Sequence, residues 1–318
     1  WQKINIFCKD KTADDIIKVI KWIKNKWDID ITLDPDIIRG YLRDWSNIEG
    51  HAIGLCRPRN KLESAIIIRI FHQLKIPYTV SAGRTNLTGS ATPMEGFIIG
   101  IENLTGTKPL VKDNQVISSS GIYLEDMRNE VLRQTDDKFY YPVDPTSRKE
   151  AMIGGTVSCN ASGFIPGEQG ATRYWVEGLE IILPNGRLIN CKRGDYISKD
   201  STFEIDGKII LLPNYNRPDI KNASGPYTCG NGEIDFIDLI VGSEGIFGLI
   251  TECIFRLKPN PKDYLDLFIV LESENYAIQF YQYLNQILKL DKITALEYFG
   301  YNCQSYMINR DHFFKNKT

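Results

Sequence analysis

Histidine is scarce in this 318-residue chain, with only His51, His72 and His312. That leaves few imidazoles for a proton relay or a metal site. The seven cysteines, at positions 8, 56, 159, 191, 229, 253 and 303, stand alone without a C-x-x-C pair. Neither a zinc nor an iron–sulfur site is supported by such spacing, so no metal is expected. An odd, scattered set reads as buried reduced thiols in a reducing, cytoplasmic setting. No stretch reaches the about 18 consecutive apolar residues of a membrane-spanning helix, so any membrane contact is expected to be peripheral, through a partner. The net charge is −2 and no run of like charge stands out, which removes the basic footprint of a nucleic-acid binder. Two phosphate-binding fingerprints are missing too: a G-x-G-x-x-G opening a helix, and a G-x-x-x-x-G-K-[ST] loop. No signal peptide is visible, and an opening at Trp1 rather than Met is expected of a chain cut from a longer one.

What is present is a globular composition, 42% hydrophobic and 25% charged, enough to bury one large core or two smaller ones. Residues 10–27 carry a helical pattern. Thr12 and Asp15 form a capping box, and Ile16, Ile20, Ile23 and Trp27 share one packing face. Ala52 to Cys56 reads as a buried strand. Asn60 then caps a helix with Glu63 at the reciprocal position, and Ile66, Ile70 and Leu74 form its stripe. That helix ends before Pro77, and Tyr78 to Val80 is the next strand. The order predicts a βαβ unit, and the loop at 81–89 therefore leaves the carboxyl end of a parallel strand, where ligands collect.

Further on, Val116 to Ser120 reads as a strand and Leu124 to Arg133 as a helix, with Thr146 or Ser147 capping another helix after Pro145. Glu180 to Leu183 and Leu188 to Cys191 form a hairpin around Asn185-Gly186. Residues 192–235 read as a long irregular insertion. Gly242 to Gly248 is a small-residue turn before a strand from Leu249 to Leu257, and Pro259-Asn260-Pro261 marks a boundary. Beyond it, a strand is expected at Leu265 to Leu271, a helix at Tyr276 to Leu288 and a strand at Ala295 to Phe299.

Three small-residue segments carry the chemistry. The first, Ser81 to Gly89, can wrap a diphosphate with its amides and the Thr85 and Thr88 hydroxyls, or be a tight turn and nothing more. The second spans 144–163, with Gly154, Gly155 and Gly163, and the third spans 242–250. Three such loops from one domain can line one elongated cofactor.

At these segments the chain resembles the FAD-linked oxidases with a p-cresol methylhydroxylase/vanillyl-alcohol oxidase (PCMH) type domain. It looks most like the flavoprotein subunits of glycolate oxidase and D-lactate dehydrogenase. The matching stretches are PYTVSAGRTNLTGSA (77–91), YPVDPTSRKEAMIGGTVSCNASG (141–163), QGATRYWVEGLEIILPNGRLI (169–189), RPDIKNASGPY (217–227) and DLIVGSEGIFGLITECIFRL (238–257), in the family's order.

The resemblance implies an α+β fold in which a two-subdomain PCMH-type FAD-binding domain is followed by the start of an α+β, ferredoxin-like cap domain. An N-terminal helical segment would occupy 1–34 and the FAD domain 35–258, in subdomains of about 35–105 and 106–258. A partial cap would occupy 263–318, its start marked by ALEYF at 295–299.

By the same resemblance Val80, Ser81, Ala82, Gly83, Arg84, Thr85, Asn86 and Leu87 form the diphosphate loop. Thr146, Ser147, Met152, Gly154 and Gly155 form a second FAD-contacting segment. Cys159, Asn160, Ala161 and Ser162 turn beside the flavin, and Glu244, Gly245 and Ile250 form the third segment.

Departures from the family shape further expectations. The family's R-G-G-G-T-S is S-A-G-R-T-N here. Arg84 therefore either points away or adds a cation near the phosphates. Thr85 stands where some relatives carry a flavin-linked His, so noncovalent FAD is expected. Thr172-Arg173-Tyr174 replaces T-R-D. Within it Arg173 is the candidate carboxylate-binding catalytic group, with a structural or flavin-contacting role as the alternative, and Tyr174 is the candidate modifier of the flavin surroundings. His51 and His72 are expected to be structural.

Three functions are consistent with this reading. One is an FAD-dependent dehydrogenase of small 2-hydroxy acids such as D-lactate or glycolate, passing electrons to a protein partner, an iron–sulfur subunit or an electron-transferring flavoprotein. The second is an FAD-binding electron-transfer or scaffold subunit of a larger redox complex without a complete substrate site of its own. The third is a non-redox or reductive relative, against which the segments at 217–227 and 238–250 argue.

Overall fold

The computed structural model describes residues 1–205, 208–212, 233–288 and 292–306. Helix α1 (Gln2–Cys8) and helix α2 (Ile16–Trp27) open the chain. The turn before α2, Ala13–Asp15, is a 3-10 helix closed by the Thr12/Asp15 capping box, so the predicted single helix over 10–27 is two pieces. Strand β1 (Ile31–Thr32), helix α3 (Pro35–Ile38), strand β2 (Gly54–Cys56), helix α4 (Lys61–Gln73), strand β3 (Tyr78–Ser81) and strand β4 (Phe97–Gly100) follow. The Asn60 side chain accepts from the Glu63 N–H at 3.0 Å, the expected cap.

These strands form one sheet in the order β1-β2-β4-β3. Strands β2, β4 and β3 run parallel, while β1 is antiparallel to β2. The expected βαβ unit therefore holds in direction but not in adjacency. β4 inserts between β2 and β3, pairing Gly54 with Phe97 on one side and Ser81 with Gly100 on the other. Adjacent parallel strands need a long crossover. Between β3 and β4 that crossover is the loop 82–96, which contains no helix. α1, α2 and α4 pack on this sheet around Ile20, Ile23, Ile67, Ile70, Phe71 and Phe97.

The second sheet and the elements around it take in β5 (Leu110–Lys112), β6 (Gln115–Ser119), α5 (Leu124–Thr135), β7 (Phe139–Tyr140), α6 (Ile153–Ser158), α7 (Thr172–Trp175), β8 (Val176–Ile182) and β9 (Leu188–Lys192). Next come β10 (Thr202–Ile205), β11 (Lys208–Leu211), α8 (Phe236–Ile240), β12 (Leu249–Arg256), β13 (Lys258–Pro259) and α9 (Glu274–Leu288). Its order is β5-β6-β12-β8-β9, all antiparallel. The β8–β9 hairpin turns at Gly186, whose φ of +78° suits glycine, and the Gly186 N–H donates to Leu183 O at 2.8 Å. A second core, built on Tyr141, Val157, Leu179, Ile237 and Phe255, lies against this sheet. The two cores meet where Met152, Ile182 and Leu249 pack with the first group. There Lys61 of α4 donates to Glu180 of β8 at 2.8 Å, and Thr251 donates to the other Glu180 oxygen at 2.8 Å.

Several expectations are corrected. The helix expected from Thr146 or Ser147 is only a turn, because Glu150 and Ala151 both bond back to Ser147 O before the backbone extends at Met152. The helix there begins at Ile153. The insertion at 192–235 contains the hairpin β10–β11, paired from Thr202↔Leu211 to Ile205↔Lys208, and 213–232 lie outside the described residues, as does the matching stretch 217–227. Pro259 remains paired, with Phe139, so the boundary tripeptide begins inside a strand. Leu265 to Leu271 and Ala295 to Phe299 are not in strand conformation, and in the second of them the Leu296 N–H donates to Phe164 O at 3.1 Å as a single bond outside any ladder. Leu265 is 83% exposed and α9 has no buried residue.

Candidate functional site

The three small-residue segments converge at the carboxyl edge of the parallel strands on one cleft of about 460 Å³. Ligand pockets of about 300–1,000 Å³ are typical of small-molecule sites. One wall is the crossover loop after β3. The second is the turn before α6 with the turn after it, and the third is the turn between α8 and β12.

Backbone approach makes the convergence tight. A Cβ on Gly83 would sit 2.1 Å from Glu150 O, and one on Gly155 would sit 3.1 Å from the Ala82 Cβ. A Cβ on Gly245 would lie 3.7 Å from the Val80 Cβ. Side chains close the remaining gaps. Thr88 Oγ1 donates to Glu244 Oε1 at 2.9 Å, and Ser90 Oγ lies 3.9 Å from Cys159 Sγ. The Glu244 N–H donates to Ser158 O at 2.8 Å, tying the third wall to the second.

The expected cofactor residues fall mostly on this cleft. Val80, Ala82, Gly83, Arg84, Thr85, Asn86 and Leu87 line it from the first wall. Ser147, Met152, Gly154, Gly155, Cys159, Asn160, Ala161 and Ser162 line it from the second, and Glu244, Gly245 and Ile250 from the third. Ser81 is fully buried at the end of β3 and accepts from Arg84 Nη1 at 3.5 Å instead of facing the cleft. Thr146 is exposed and outside the lining. Beyond the expected residues, Ser90, Ile101 and Ala151 also line the walls, as do Thr88, Ala91, Thr156, Ser158 and Gly248. Ser90 continues the hydroxyl-rich run and could have been found by extending it past Gly89.

Arg84 stands at φ +55°, a left-handed conformation that glycine adopts at no steric cost. Its guanidinium lies 4.5 Å from the Tyr41 ring centroid and donates to Ala82 O at 3.2 Å. Tyr41 in turn donates to Glu102 Oε1, and burial with that carboxylate pushes its hydroxyl up to about 12. The Cys159 thiol is pushed up by burial, which disfavours the thiolate and leaves it a neutral wall residue.

Arg173 and Tyr174 are not brought to the cleft. Arg173 is 7% exposed, and its guanidinium donates to the backbone carbonyls of Asp238 and, at 2.6 Å, Val241. The carboxylate-binding role expected of it gains no support from this placement, because its fork is aimed at the Asp238 and Val241 carbonyls and the Asp238 carboxylate inside the core. Tyr174 packs against Trp175 at 5.1 Å between ring centroids and lies under the Arg256 guanidinium, away from the three walls. His51 and His72 are exposed and line no part of the cleft, and His312 lies outside the described residues.

The cleft suits a dinucleotide with a diphosphate. Among the described residues, the backbone N–H groups of Gly83, Arg84, Thr85, Asn86 and Leu87 have no protein acceptor, although they stand in a loop held on both flanks. Successive main-chain donors of this kind form a concavity for an anion. The walls carry little bulk, so a flat ring system can lie against them.

Residues 52–192 match the protein family described as FAD binding domain. Among curated proteins, a D-lactate dehydrogenase of Anaerostipes hadrus is 29% identical over 72% of this chain and 42% of its own length. The glycolate oxidase subunit GlcD of Bacillus subtilis is 28% identical over 70% of this chain and 40% of its own length. A D-2-hydroxyglutarate dehydrogenase of Xanthomonas citri is 27% identical over 84% of this chain and 49% of its own length. This chain thus spans about half, or less, of the length of these relatives. Among solved structures, alkyldihydroxyacetonephosphate synthase superposes with a TM-score of 0.59 at 15% identity, over 87% of this chain and 46% of that one, a likeness of fold. Residues 52–192 are thus similar to an FAD-binding domain, which supports FAD as the cofactor.

Proposed function

We propose that this FAD-binding chain belongs to an oxidoreductase that oxidises a small 2-hydroxy acid of the D-lactate or glycolate type and passes the electrons to a protein partner. The observation that carries the reading is the meeting of three separate loops on one cleft, in a chain whose relatives are D-lactate, glycolate and D-2-hydroxyglutarate enzymes. In this reading the diphosphate rests on the N–H groups of 83–87, while Thr88 and Glu244 latch the loop across it. Met152, Gly154 and Gly155 supply a flat wall, with Cys159 to Ser162 beside the ring system. Thr85 offers no imidazole for a covalent link, so FAD is held noncovalently. When bound, FAD supplies the acceptor for the hydride from the carbinol carbon of the substrate. The subdomains are assigned to about 35–105 and 106–258, with 1–34 packed on the first, and 263–318 are assigned to the start of a cap.

A second reading has its own observation. Arg173, the cation best placed in sequence to bind a substrate carboxylate, is committed to main-chain carbonyls. That favours a chain which holds FAD while the substrate site is completed elsewhere in a redox complex. One experiment separates the two. The purified protein is mixed anaerobically with D-lactate, glycolate and D-2-hydroxyglutarate while the flavin band is followed. Loss of the band with one of them supports the enzyme. A flavin that no 2-hydroxy acid reduces, but that exchanges electrons with an iron–sulfur or flavoprotein partner, refutes it in favour of the second reading. Acid precipitation that leaves flavin in the pellet would refute noncovalent binding.

A further inference from the structure

Thr172 and Arg173 open α7 between two walls of the cleft and bond to both. The Thr172 N–H and Oγ1 donate to Ala161 O at 2.9 and 2.7 Å. The Arg173 N–H donates to Asn160 Oδ1 at 2.8 Å. Asn160 is 1% exposed and stands at φ +46°, so this bond fixes a left-handed residue in the turn that lines the cleft. From the same residue the guanidinium reaches the other way, to Asp238 O and Val241 O at the end of α8. The last carbonyls of a helix have no acceptor role within it. The next N–H groups are spent elsewhere, since Gly242 donates to Val157 O at 3.0 Å and Glu244 to Ser158 O at 2.8 Å.

Arg193 secures the same joint. Its Nη1 donates to Asp238 Oδ2 at 2.9 Å and its Nη2 to Arg173 O at 3.0 Å. The 242–248 turn that carries Glu244 and Gly245 thus hangs from α8, and α8 hangs from Arg173. Only a planar fork spans two carbonyls in this way, because lysine is a single point charge on a flexible stem.

We propose that Arg173 is the positioning residue that joins the 159–162 and 242–248 turns into one rigid wall of the FAD cleft. The role rests on the cofactor reading of that cleft and involves no contact with substrate or FAD. It makes the walls preorganised before the cofactor arrives, so the affinity for FAD reflects little loop ordering.

The test compares Arg173→Lys and Arg173→Met with Lys61→Met, which removes a bond between the two sheets and touches neither turn. FAD affinity is measured by titrating apo-protein, and the flavin environment by visible circular dichroism. Thermal unfolding of apo-protein reports stability alone. Arg173→Lys is expected to weaken FAD by about tenfold to a hundredfold, the scale of a lost charge-assisted pair of bonds, and to change the visible dichroism. Lys61→Met should shift only the melting temperature. An Arg173→Lys protein that melts lower but binds FAD with wild-type affinity and dichroism would make the residue merely structural and overturn the proposal. Should neither Arg173 variant fold, amide exchange on the wild type decides. Peptides covering 157–163 and 239–248 should gain protection at the same FAD concentration, and protection confined to one of them overturns the joint wall. Failure of the wild type to take up FAD would instead refute the cofactor reading itself.

Discussion

Gly83→Ala is the sharpest probe of how the cleft is built. The methyl would meet Glu150 O at 2.1 Å, with the Glu150 carbonyl carbon at 3.1 Å and the Ala151 Cα at 3.2 Å. All three are main-chain atoms, so no rotamer can relieve the clash. Ordinary contact between carbon and oxygen begins beyond about 3.0 Å, so the loop and the 147–151 turn must part by about 1 Å. Overpacking of this kind costs about 1–3 kcal/mol. Because the two segments are opposite walls of the cleft, the displacement falls on cofactor binding as well as on folding. At about 1.4 kcal/mol per factor of ten, FAD affinity should drop about five- to 150-fold.

Gly106→Ala is the matched control, since no atom lies within 4 Å of the added Cβ. The assay is fluorescence titration of both apo-proteins with FAD, beside their melting curves. A Gly83→Ala protein that binds FAD within twofold of Gly106→Ala would refute the packing of the two walls.

Arg84→Gly relieves a left-handed residue and removes a cation already engaged by Tyr41 and Ala82 O, so FAD should stay bound within about tenfold. A larger, salt-sensitive loss would place the guanidinium on the phosphates. Lys61→Met leaves the buried Glu180 carboxylate with Thr251 alone. With Lys61 more than half exposed, the discounted cost is about 1 kcal/mol, and Glu180→Gln in the same protein should recover part of it on a melting curve. Tyr41 titrates at about 12 when folded against an ordinary 10.0, raised by burial and then by Glu102. The folded state favours the neutral phenol, so its contribution is whole below pH 10.0 and fades as pH rises towards about 12. Tyr41→Phe should therefore flatten the alkaline fall of stability in that window, and an unchanged alkaline limb would contradict the assignment.

The parts legible in the sequence are those set by local chemistry. The Asn60 cap, the Thr12/Asp15 box and the turn at Asn185-Gly186 are each written within a few residues. Strand order is not written that way. β4 separates β2 from β3 because the loop 82–96 crosses between adjacent parallel strands, and no residue in either strand records its neighbour. The start of α6 was misplaced because Thr146 and Ser147 do open a turn, which the chain abandons at Met152. Leu265 to Leu271 has the composition of a strand, but strand formation depends on the surface a segment meets, which its own residues do not record. The gathering of the three loops was legible from their small residues, through the resemblance that they carry. The duty of Arg173 was not, since its shortest bonds go to main-chain carbonyls, which any residue provides, with the Asp238 carboxylate 3.5 Å away.

That last point bears on how such a cleft tolerates change. Its shape is set less by the side chains that line it than by main chain resting on main chain. Gly83 rests against Glu150 O. At the cleft edge, a Cβ on Gly248 would sit 2.3 Å from Ile182 O, and behind the crossover one on Gly96 would sit 2.0 Å from Pro77 O. Arg173 adds a bond to the Val241 carbonyl ahead of the 242–248 turn. Departures such as Arg84 and Thr85 can therefore sit inside the 83–87 loop without moving it, because its path is held from outside. Exchanges in the lining therefore cost less than exchanges of the glycines that meet carbonyls or of the arginine that holds the joint.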